Sequence, residues 1–129
     1  MKIAIGTHDK KRINPNHFGE SKYFCVAEIL MAKPYSVDCR ENPYPGHGIS
    51  GKGKKIAELL HDCDAYVVQR IGKDAFKLLP EQGIQIFLTK LTNLDEIIRT
   101  FSEGDLTAYR KFNPRTRKFE ACGTDPAVG

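Results

Sequence analysis

The sequence predicts an α/β fold in which helices pack on one mixed β-sheet. Short runs of β-branched and aromatic residues in the first 40 positions predict consecutive strands with no helix between them. The second half alternates strands with helical apolar periods, at the spacing of parallel βαβ units. The length of 129 residues, 40% of them hydrophobic, fits one domain with its own core. The predicted order of elements is β-β-β-α-β-α-β-α.

The first half of the chain is predicted to form three strands, at residues 2–6, 23–30 and 35–40. A short link that contains Pro34 joins the second strand to the third, which predicts an antiparallel hairpin. A polar stretch over residues 7–22 separates the first two strands and contains the turn signal Asn14-Pro15-Asn16.

The second half is predicted to contain two strands, at residues 65–69 and 84–88, and three helices. The helices follow from apolar residues at helical spacing, over residues 56–63, 75–79 and 94–101. Asn93 with Glu96 resembles a capping box, which predicts the start of the last helix. The pattern fades after Gly104. We therefore predict a domain over residues 1–104 and an irregular basic tail over residues 105–129.

Composition narrows the class of protein. No apolar run reaches the ~20 residues of a membrane span, and the N-terminus is too short for a signal-peptide core. The few cysteines form no CxxC pair, which predicts free thiols in a reducing, cytoplasmic protein. The net charge of +4 is consistent with an anionic ligand but does not require one.

The glycine-rich segment Gly46–Gly53 matches the G-x-x-x-x-G-K part of a nucleotide-binding loop. It has glycine at position 53, where such a loop needs Ser or Thr, and no strand precedes it. The turn and the neighbouring Lys52, Lys54 and Lys55 instead predict an anion site at the start of a helix. The alternative is a solvated basic helix start.

Histidines in irregular segments are the candidate metal ligands. His17 and His47 lie in loops, where an imidazole can reach a ligand. Cys39 precedes His47 closely, and thiolate with imidazole suits a soft metal or an iron–sulfur cluster. The alternative is that the histidines are ordinary surface residues and the cysteine a small buried apolar residue. No hydrolase or zinc-protease motif is present, so we predict no catalytic residue.

Two groups of motifs resemble a known family. The strand Lys2–Gly6 and the polar loop that ends in His17-Phe18-Gly19-Glu20-Ser21-Lys22-Tyr23-Phe24 resemble the dinitrogenase iron–molybdenum cofactor-binding family. This family includes NifX-like proteins and the C-terminal domain of NifB. The order of His47, the helix after it and the stretch Cys63–Val68 is similar too. The resemblance covers residues 1–104.

The resemblance implies a ribonuclease-H-like three-layer fold with a mixed five-stranded sheet. It also implies a protein that is not an enzyme and that binds or carries an iron–molybdenum cofactor or another metal–sulfur cluster in nitrogenase cofactor assembly. Cofactor-assembly proteins are the expected partners. The sequence makes no prediction of oligomeric state.

Site residues follow from the family positions and from local chemistry. By position, the cofactor-binding residues are His17 and His47, with Phe18 and Gly19 shaping the first loop. Local chemistry adds Cys39 as a third metal ligand and Lys52 as a charge that offsets an anionic cluster. Relatives often carry a cysteine-rich segment before the first helix. Its absence from this chain favours docking of a preformed cluster by few ligands.

Three other functions compete with this one. The fold could serve as a regulatory or protein-interaction module that holds no metal. The basic cluster in residues 105–129, interleaved with aromatic residues, could bind nucleic acid. A ribonuclease-H-like enzyme would need converging carboxylates, and the first strand contains none.

Overall fold

The computed structural model of the chain describes residues 1–44, 46, 50–70 and 83–124, which contain one seven-stranded mixed sheet. The strands are β1 (Lys2–Thr7), β2 (Tyr23–Leu30), β3 (Lys33–Glu41), β4 (Ala65–Val68), β5 (Gln85–Thr89), β6 (Asp105–Asn113) and β7 (Lys118–Thr124). The described α-helices are α1 (Lys52–Leu59) and α2 (Leu94–Ser102), and a 3-10 turn spans Phe18–Glu20. The strand order is β3-β2-β1-β4-β5-β6-β7.

Parallel strands form the centre of the sheet and antiparallel hairpins form its two sides. β1 runs parallel to β4, and β4 runs parallel to β5. The β2–β3 hairpin extends the sheet beyond β1, and β6 and β7 extend it beyond β5. The prediction of an α/β fold with a mixed sheet is confirmed. The helix predicted at residues 75–79 lies outside the described residues.

The prediction of five strands and an irregular tail is wrong. Residues 105–124 form the antiparallel hairpin β6–β7, which brings the sheet to seven strands. A register shift between Leu106 and Arg110 interrupts the alternation of side chains, so the sequence there lacks a clear period of two. The hairpin is held on the domain by Tyr109, whose buried hydroxyl lies 2.8 Å from the Thr100 hydroxyl of α2. The ribonuclease-H-like classification stays a prediction.

The sheet is covered on both faces, so its central strands are apolar on both sides. On one face, Ile3, Ile5 and Val67 pack against α2. On the other face, Ala4 and Tyr66 pack with residues of α1 and the 3-10 turn. This alternation of neighbouring β1 residues between two cores explains why its sequence reads as a continuous apolar run.

Helix α2 begins where the capping pattern predicted. The Asn93 side chain accepts a hydrogen bond from the Glu96 backbone N–H at 3.0 Å, and Leu94, Ile97 and Phe101 are buried. None of the helices in the described residues is long and apolar enough to cross a membrane.

The prediction of free thiols is wrong for two of the four cysteines. Cys25 on β2 and Cys39 on β3 form a disulfide between directly opposed positions, with their Cα atoms 3.9 Å apart. This proximity depends on the register of two strands, which cysteine spacing does not reveal. Cys63 and Cys122 are free thiols. Burial raises the pKa of the Cys63 thiol to about 12, so that thiol is protonated at neutral pH.

An ionic network at Asp62 joins three parts of the chain. Arg40 of β3 donates to both carboxylate oxygens of Asp62, at 2.7 and 2.6 Å, and to the Leu59 carbonyl at 3.0 Å. Lys2 of β1 donates to the same carboxylate at 3.1 Å. The Arg40 hydrogen bonds hold the pKa of Asp62 well below its usual range. The bidentate pair therefore attaches the outer strand β3 to the end of α1.

We expect Asp62→Asn to lower the free energy of unfolding by about 1–3 kcal/mol at pH 7, because Arg40 loses a charged, bidentate partner. A lowered carboxyl pKa contributes stability above the unfolded-state value of about 3.9, and this contribution is lost as pH falls through the folded value. The difference in free energy of unfolding between wild type and variant should therefore become smaller below about pH 4. Urea denaturation at pH 7 and in acid measures both effects.

Asp38→Asn is the matched control. Asp38 lies 3.7 Å from the same Arg40, but its side chain is 74% exposed, so its loss should change stability by less than about 0.5 kcal/mol. Equal effects of the two substitutions, or a gap that does not depend on pH, would contradict the network.

Candidate functional site

The carboxyl ends of the three parallel strands meet at one edge of the sheet. The segments that leave this edge are residues 8–17 after β1, Gln69 and Arg70 after β4, and residues 90–92 after β5. In open α/β sheets, ligands bind in the crevice outside these ends. A crevice of about 250 Å³ lies here, lined by His8, Asp9, Arg12, Ile13, Pro15, Gln69 and Thr92.

Backbone hydrogen bonds hold the loop after β1 against the start of α2. The Ile13 N–H donates to the Thr92 carbonyl, and the Leu94 N–H donates to the Lys11 carbonyl, both at 2.9 Å. Inside the loop, Asp9 accepts the N–H groups of Lys11 and Arg12 at 2.9 Å each. These two bonds, with the Arg12 bond the larger cause, lower the pKa of Asp9. The crevice is thus lined by an ordered loop with an ionised carboxylate.

A buried amide, Asn14, determines the backbone position of His17. Its side-chain NH₂ donates to the His17 carbonyl and to the Ser21 hydroxyl, both at 2.9 Å. The Ser21 hydroxyl in turn donates to the Phe18 carbonyl at 2.8 Å. Gly6 makes room for this network, since a Cβ there would lie 2.2 Å from the Ser21 oxygen. The hydrogen bonds that order this loop are thus made by the protein's own side chains.

His17 presents its imidazole at this edge. Its side chain is nearly half-exposed, and its Nδ1 lies 3.6 Å from the Glu20 carboxylate. A bridge to Arg70, with the Phe18 N–H donating to the Arg70 carbonyl at 2.9 Å, joins the turn to the end of β4. His17 and Arg70 are therefore neighbours, although they lie far apart in the sequence.

Lys52 reaches the same turn from the start of α1. A Cβ on Gly19 would lie 3.3 Å from the Lys52 Cε and 3.1 Å from Ile56, so the turn packs directly on the helix. The Lys52 ammonium donates to the Gly46 carbonyl at 2.6 Å. Burial lowers the pKa of Lys52, and the negative charge of Glu20 opposes that shift. The structure thus brings His17, Gly19 and Lys52 together.

Phe18 attaches the turn to the core on the α1 side of the sheet. It is buried, and its ring centroid lies 4.8 Å from the rings of both Phe24 and Tyr66. The expectation that Phe18 shapes the loop agrees with this position. Because the aromatic core covers its ring, its assignment as a cofactor-binding residue stays a prediction.

The predicted metal set of His17, His47 and Cys39 is not assembled. Cys39 is bonded to Cys25 and packs with the α2-side core, whereas Phe18 and Ile56 belong to the core on the opposite face. Its assignment as a metal ligand is therefore wrong. His47 lies outside the described residues. Over those residues, no group of three or more His, Cys, Asp or Glu side chains is suited to hold a metal ion.

Sequence reasoning missed Asn14, Glu20 and Arg70 as parts of the site. Asn14 stands in a recognised turn signal, but its bonds to His17 and Ser21 depend on the folded loop. Arg70 follows a predicted strand directly. Charges placed just after parallel strands were the available signal, because such ends meet at a ligand-binding edge.

We expect Asn14→Ala to lower the free energy of unfolding by about 1–3 kcal/mol, since the buried Ser21 hydroxyl and His17 carbonyl would each lose a partner. Amide exchange of residues 16–21 should accelerate more than exchange in β2. Asn16→Ala is the control, because the Asn16 side chain is exposed and its backbone N–H, which donates to Asn14 at 2.9 Å, is retained. Denaturation curves and hydrogen exchange followed by NMR test this. An unchanged loop in Asn14→Ala would show that the amide does not position His17.

Comparisons with known proteins identify the family of this chain. The family model described as "Dinitrogenase iron-molybdenum cofactor" matches residues 1–104. An uncharacterized protein of Methanocaldococcus jannaschii is 32% identical over 111 residues, which cover 84% of this chain and 92% of that protein.

Solved structures share the fold. The apo form of the orange protein from Desulfovibrio gigas aligns with a TM-score of 0.63 and 21% identity, over 80% of this chain and 88% of that one. A candidate dinitrogenase of Methanocaldococcus jannaschii aligns with a TM-score of 0.62 and 24% identity, over 81% of this chain and 89% of that one. The resemblance identified from the His17–Phe24 stretch and the order of the second half is confirmed. The chain belongs to the dinitrogenase iron–molybdenum cofactor family.

Proposed function

We propose that this protein binds an anionic metal–sulfur cofactor, the iron–molybdenum cofactor or a related cluster, and carries it as cargo without catalysing a reaction. The observation that carries the proposal is the position of His17. An internally hydrogen-bonded loop places His17 at the carboxyl edge of the parallel strands, where its backbone bridges to Arg70 and its imidazole lies 3.6 Å from the Glu20 carboxylate. In this proposal Gly19 and Lys52 belong to the cofactor site with His17.

The imidazole has the surroundings of a metal ligand. Histidines that bind metals commonly direct their second ring nitrogen toward a carboxylate, which orients the ring and strengthens the ligand. The Glu20 carboxylate lies 3.6 Å from His17 Nδ1, on the side of the ring where such a carboxylate would stand. Nε2 is then the nitrogen that would meet a metal of the cluster.

Positive charge around His17 supports an anionic cargo. Lys52 packs on the turn from α1, Arg12 lines the adjacent crevice, and the Arg70 backbone lies beside that of His17 at the end of β4. Cations at an edge of this kind attract an anion and partly neutralise it. A preformed cluster would thus be held by one imidazole and by charge. Such a site suits a carrier, because few bonds must break when the cargo passes to the next protein.

The family supports the same reading, since its description names the cofactor. We place the chain in cofactor assembly, with the donor and the acceptor of the cofactor as partners. His47 remains a proposed second ligand. The competing proposal of a metal-free interaction module is favoured by the apolar side chains exposed on the β2–β3 hairpin, Leu30, Met31 and Tyr35.

We expect anaerobic titration of the purified protein with isolated iron–molybdenum cofactor to give about one cofactor retained per chain after gel filtration, with one strong site per domain assumed. His17→Ala should raise the apparent Kd by about tenfold or more, because it removes the metal ligand. Visible absorbance and metal analysis provide the readout. His61→Ala is the control, since His61 is exposed beyond the end of α1 and its Nδ1 contacts only the Glu58 carbonyl among the described contacts. Loss of binding in both variants, or in neither, would contradict the assignment of His17 as a ligand. A wild type that retains no cofactor would favour the interaction module.

Lys52→Gln tests the contribution of charge separately. Removing one cation near an anionic cluster should weaken binding by about three- to tenfold at low salt, and by less at 0.5 M salt, because salt screens the interaction. Lys118→Gln is the control, because it removes the same charge from an exposed position on β7, the outermost strand on the opposite side of the sheet from β3. An effect of Lys52→Gln that is independent of salt would show that the lysine acts through packing against Gly19 instead.

A further inference from the structure

The β6–β7 hairpin carries most of the net positive charge of the chain. Residues 105–124 contain five Lys and Arg residues against Asp105 and Glu120, so the hairpin accounts for three of the four net positive charges. The hairpin also lies outside residues 1–104, which the family model matches. The charge is therefore concentrated on a part of the chain that the family model does not include. The five cations are Arg110, Lys111, Arg115, Arg117 and Lys118.

These five cations are exposed, and none of them forms an ion pair within the part of the chain that the structure describes. Glu120 instead accepts hydrogen bonds from neutral partners, the Asn113 amide at 2.9 Å and the Thr116 hydroxyl at 3.3 Å. Lys111 lies opposite Glu120 in the ladder, but its ammonium lies over the Phe87 ring, 5.9 Å from the centroid. The positive charge of the hairpin is therefore available to an external anion.

The positive charge continues onto the neighbouring strand. Lys90 directly follows β5, is exposed, and lines a crevice of about 570 Å³ together with Arg110. Among the described residues, no acidic side chain lines this crevice. A strand rises about 3.4 Å per residue, so the cations from Arg110 to Arg115 span about 17 Å, the length of about five successive phosphates along one strand of a DNA duplex. The cations are thus spread along a length that suits a polyanion.

The aromatic residues of the hairpin do not face a partner. Tyr109 and Phe112 are buried, and Phe119 packs against Phe112 with the ring centroids 5.5 Å apart. None of the large hydrophobic side chains exposed in the described residues lies on the hairpin. A protein partner would need such side chains at the centre of its interface, and a single strand or an RNA loop would need exposed rings for its bases. A DNA duplex needs neither, because it is bound through its phosphates by charge.

We infer that the β6–β7 hairpin and Lys90 form an interaction surface for double-stranded DNA, which they bind through the phosphate backbone without reading its sequence. Protein–DNA interfaces are polar and strongly positive, as this surface is. Binding of this kind depends steeply on salt, because each phosphate that a cation neutralises releases counterions. This inference does not rest on the proposed cofactor function.

Fluorescence anisotropy of a labelled duplex of about 20 base pairs, titrated with the full chain, tests the inference. We expect a Kd in the micromolar range at low salt. With about four phosphate contacts, the affinity should fall about 100-fold between about 50 and about 200 mM NaCl. A second duplex of unrelated sequence should bind equally well, since phosphate contacts carry no sequence information.

Arg115→Gln/Arg117→Gln removes two cations from the exposed turn. It keeps the backbone bonds of that turn, in which the Arg117 N–H donates to the Asn113 carbonyl at 2.7 Å and the Arg115 N–H donates to the Asn113 side chain at 2.9 Å. This variant should weaken binding by about tenfold or more at about 50 mM NaCl and reduce the slope of log Kd against log salt by about two. Lys33→Gln/Lys54→Gln is the matched control, since it removes the same charge from exposed positions on β3 and α1.

A wild type that binds no duplex at about 100 µM protein and about 50 mM NaCl overturns the inference, because even non-specific binding is tighter than this. Equal effects of the turn variant and its control also overturn it, since the surface would then lie elsewhere. Single-stranded DNA, duplex RNA, poly-glutamate and vesicles of phosphatidylserine replace the duplex in parallel titrations. Tighter binding of any of these would assign the hairpin to that class of partner and would overturn the assignment to duplex DNA. Circular dichroism confirms that each variant is folded.

Discussion

Strand β1 has no solvent-exposed face, and the rest of the fold depends on that constraint. It pairs with β2 on one side and with β4 on the other, and its side chains enter two separate cores. A strand of this kind must have every backbone group paired and every side chain packed. The two neighbouring strands, the helices on both faces and the loop that leaves Thr7 are all positioned by it.

At the carboxyl end of β1, the chain leaves the sheet without entering a helix, so its backbone must be ordered by other contacts. Polar side chains supply the missing order there, with Asp9 capping one turn and Asn14 holding the next. The same bonds place His17 at the edge beside Arg70. A loop that is ordered before a ligand arrives loses little entropy on binding, which favours binding through few contacts. The hydrogen bonds of Asp9 and Asn14 thus both order the loop after β1 and position the proposed cofactor site.

The two sides of the sheet have different roles. The edge with His17 and Lys52 lies at the ends of the central strands, where charge and an imidazole converge. The outer strand β3 lies at the side of the sheet, and its disulfide packs on the α2-side core. Cys39 therefore contributes to the rigidity of an outer strand.

The sequence by itself determined those elements whose pattern of residues is contained within a short segment of the chain. The apolar run of β1, the composition of β2 and the Asn93 cap with the buried face of α2 were predicted correctly, as was the mixed α/β class. The motif from His17 to Phe24, together with the order of elements in the second half, indicated the family. Only the tertiary structure decided the Cys25–Cys39 bond, the β6–β7 hairpin, the buried position of Phe18 and the grouping of Asn14, Glu20, Lys52 and Arg70 around His17. These features depend on strand register and on packing between residues far apart in the chain. Such contacts form only when the whole fold is in place, so no local sequence pattern predicts them.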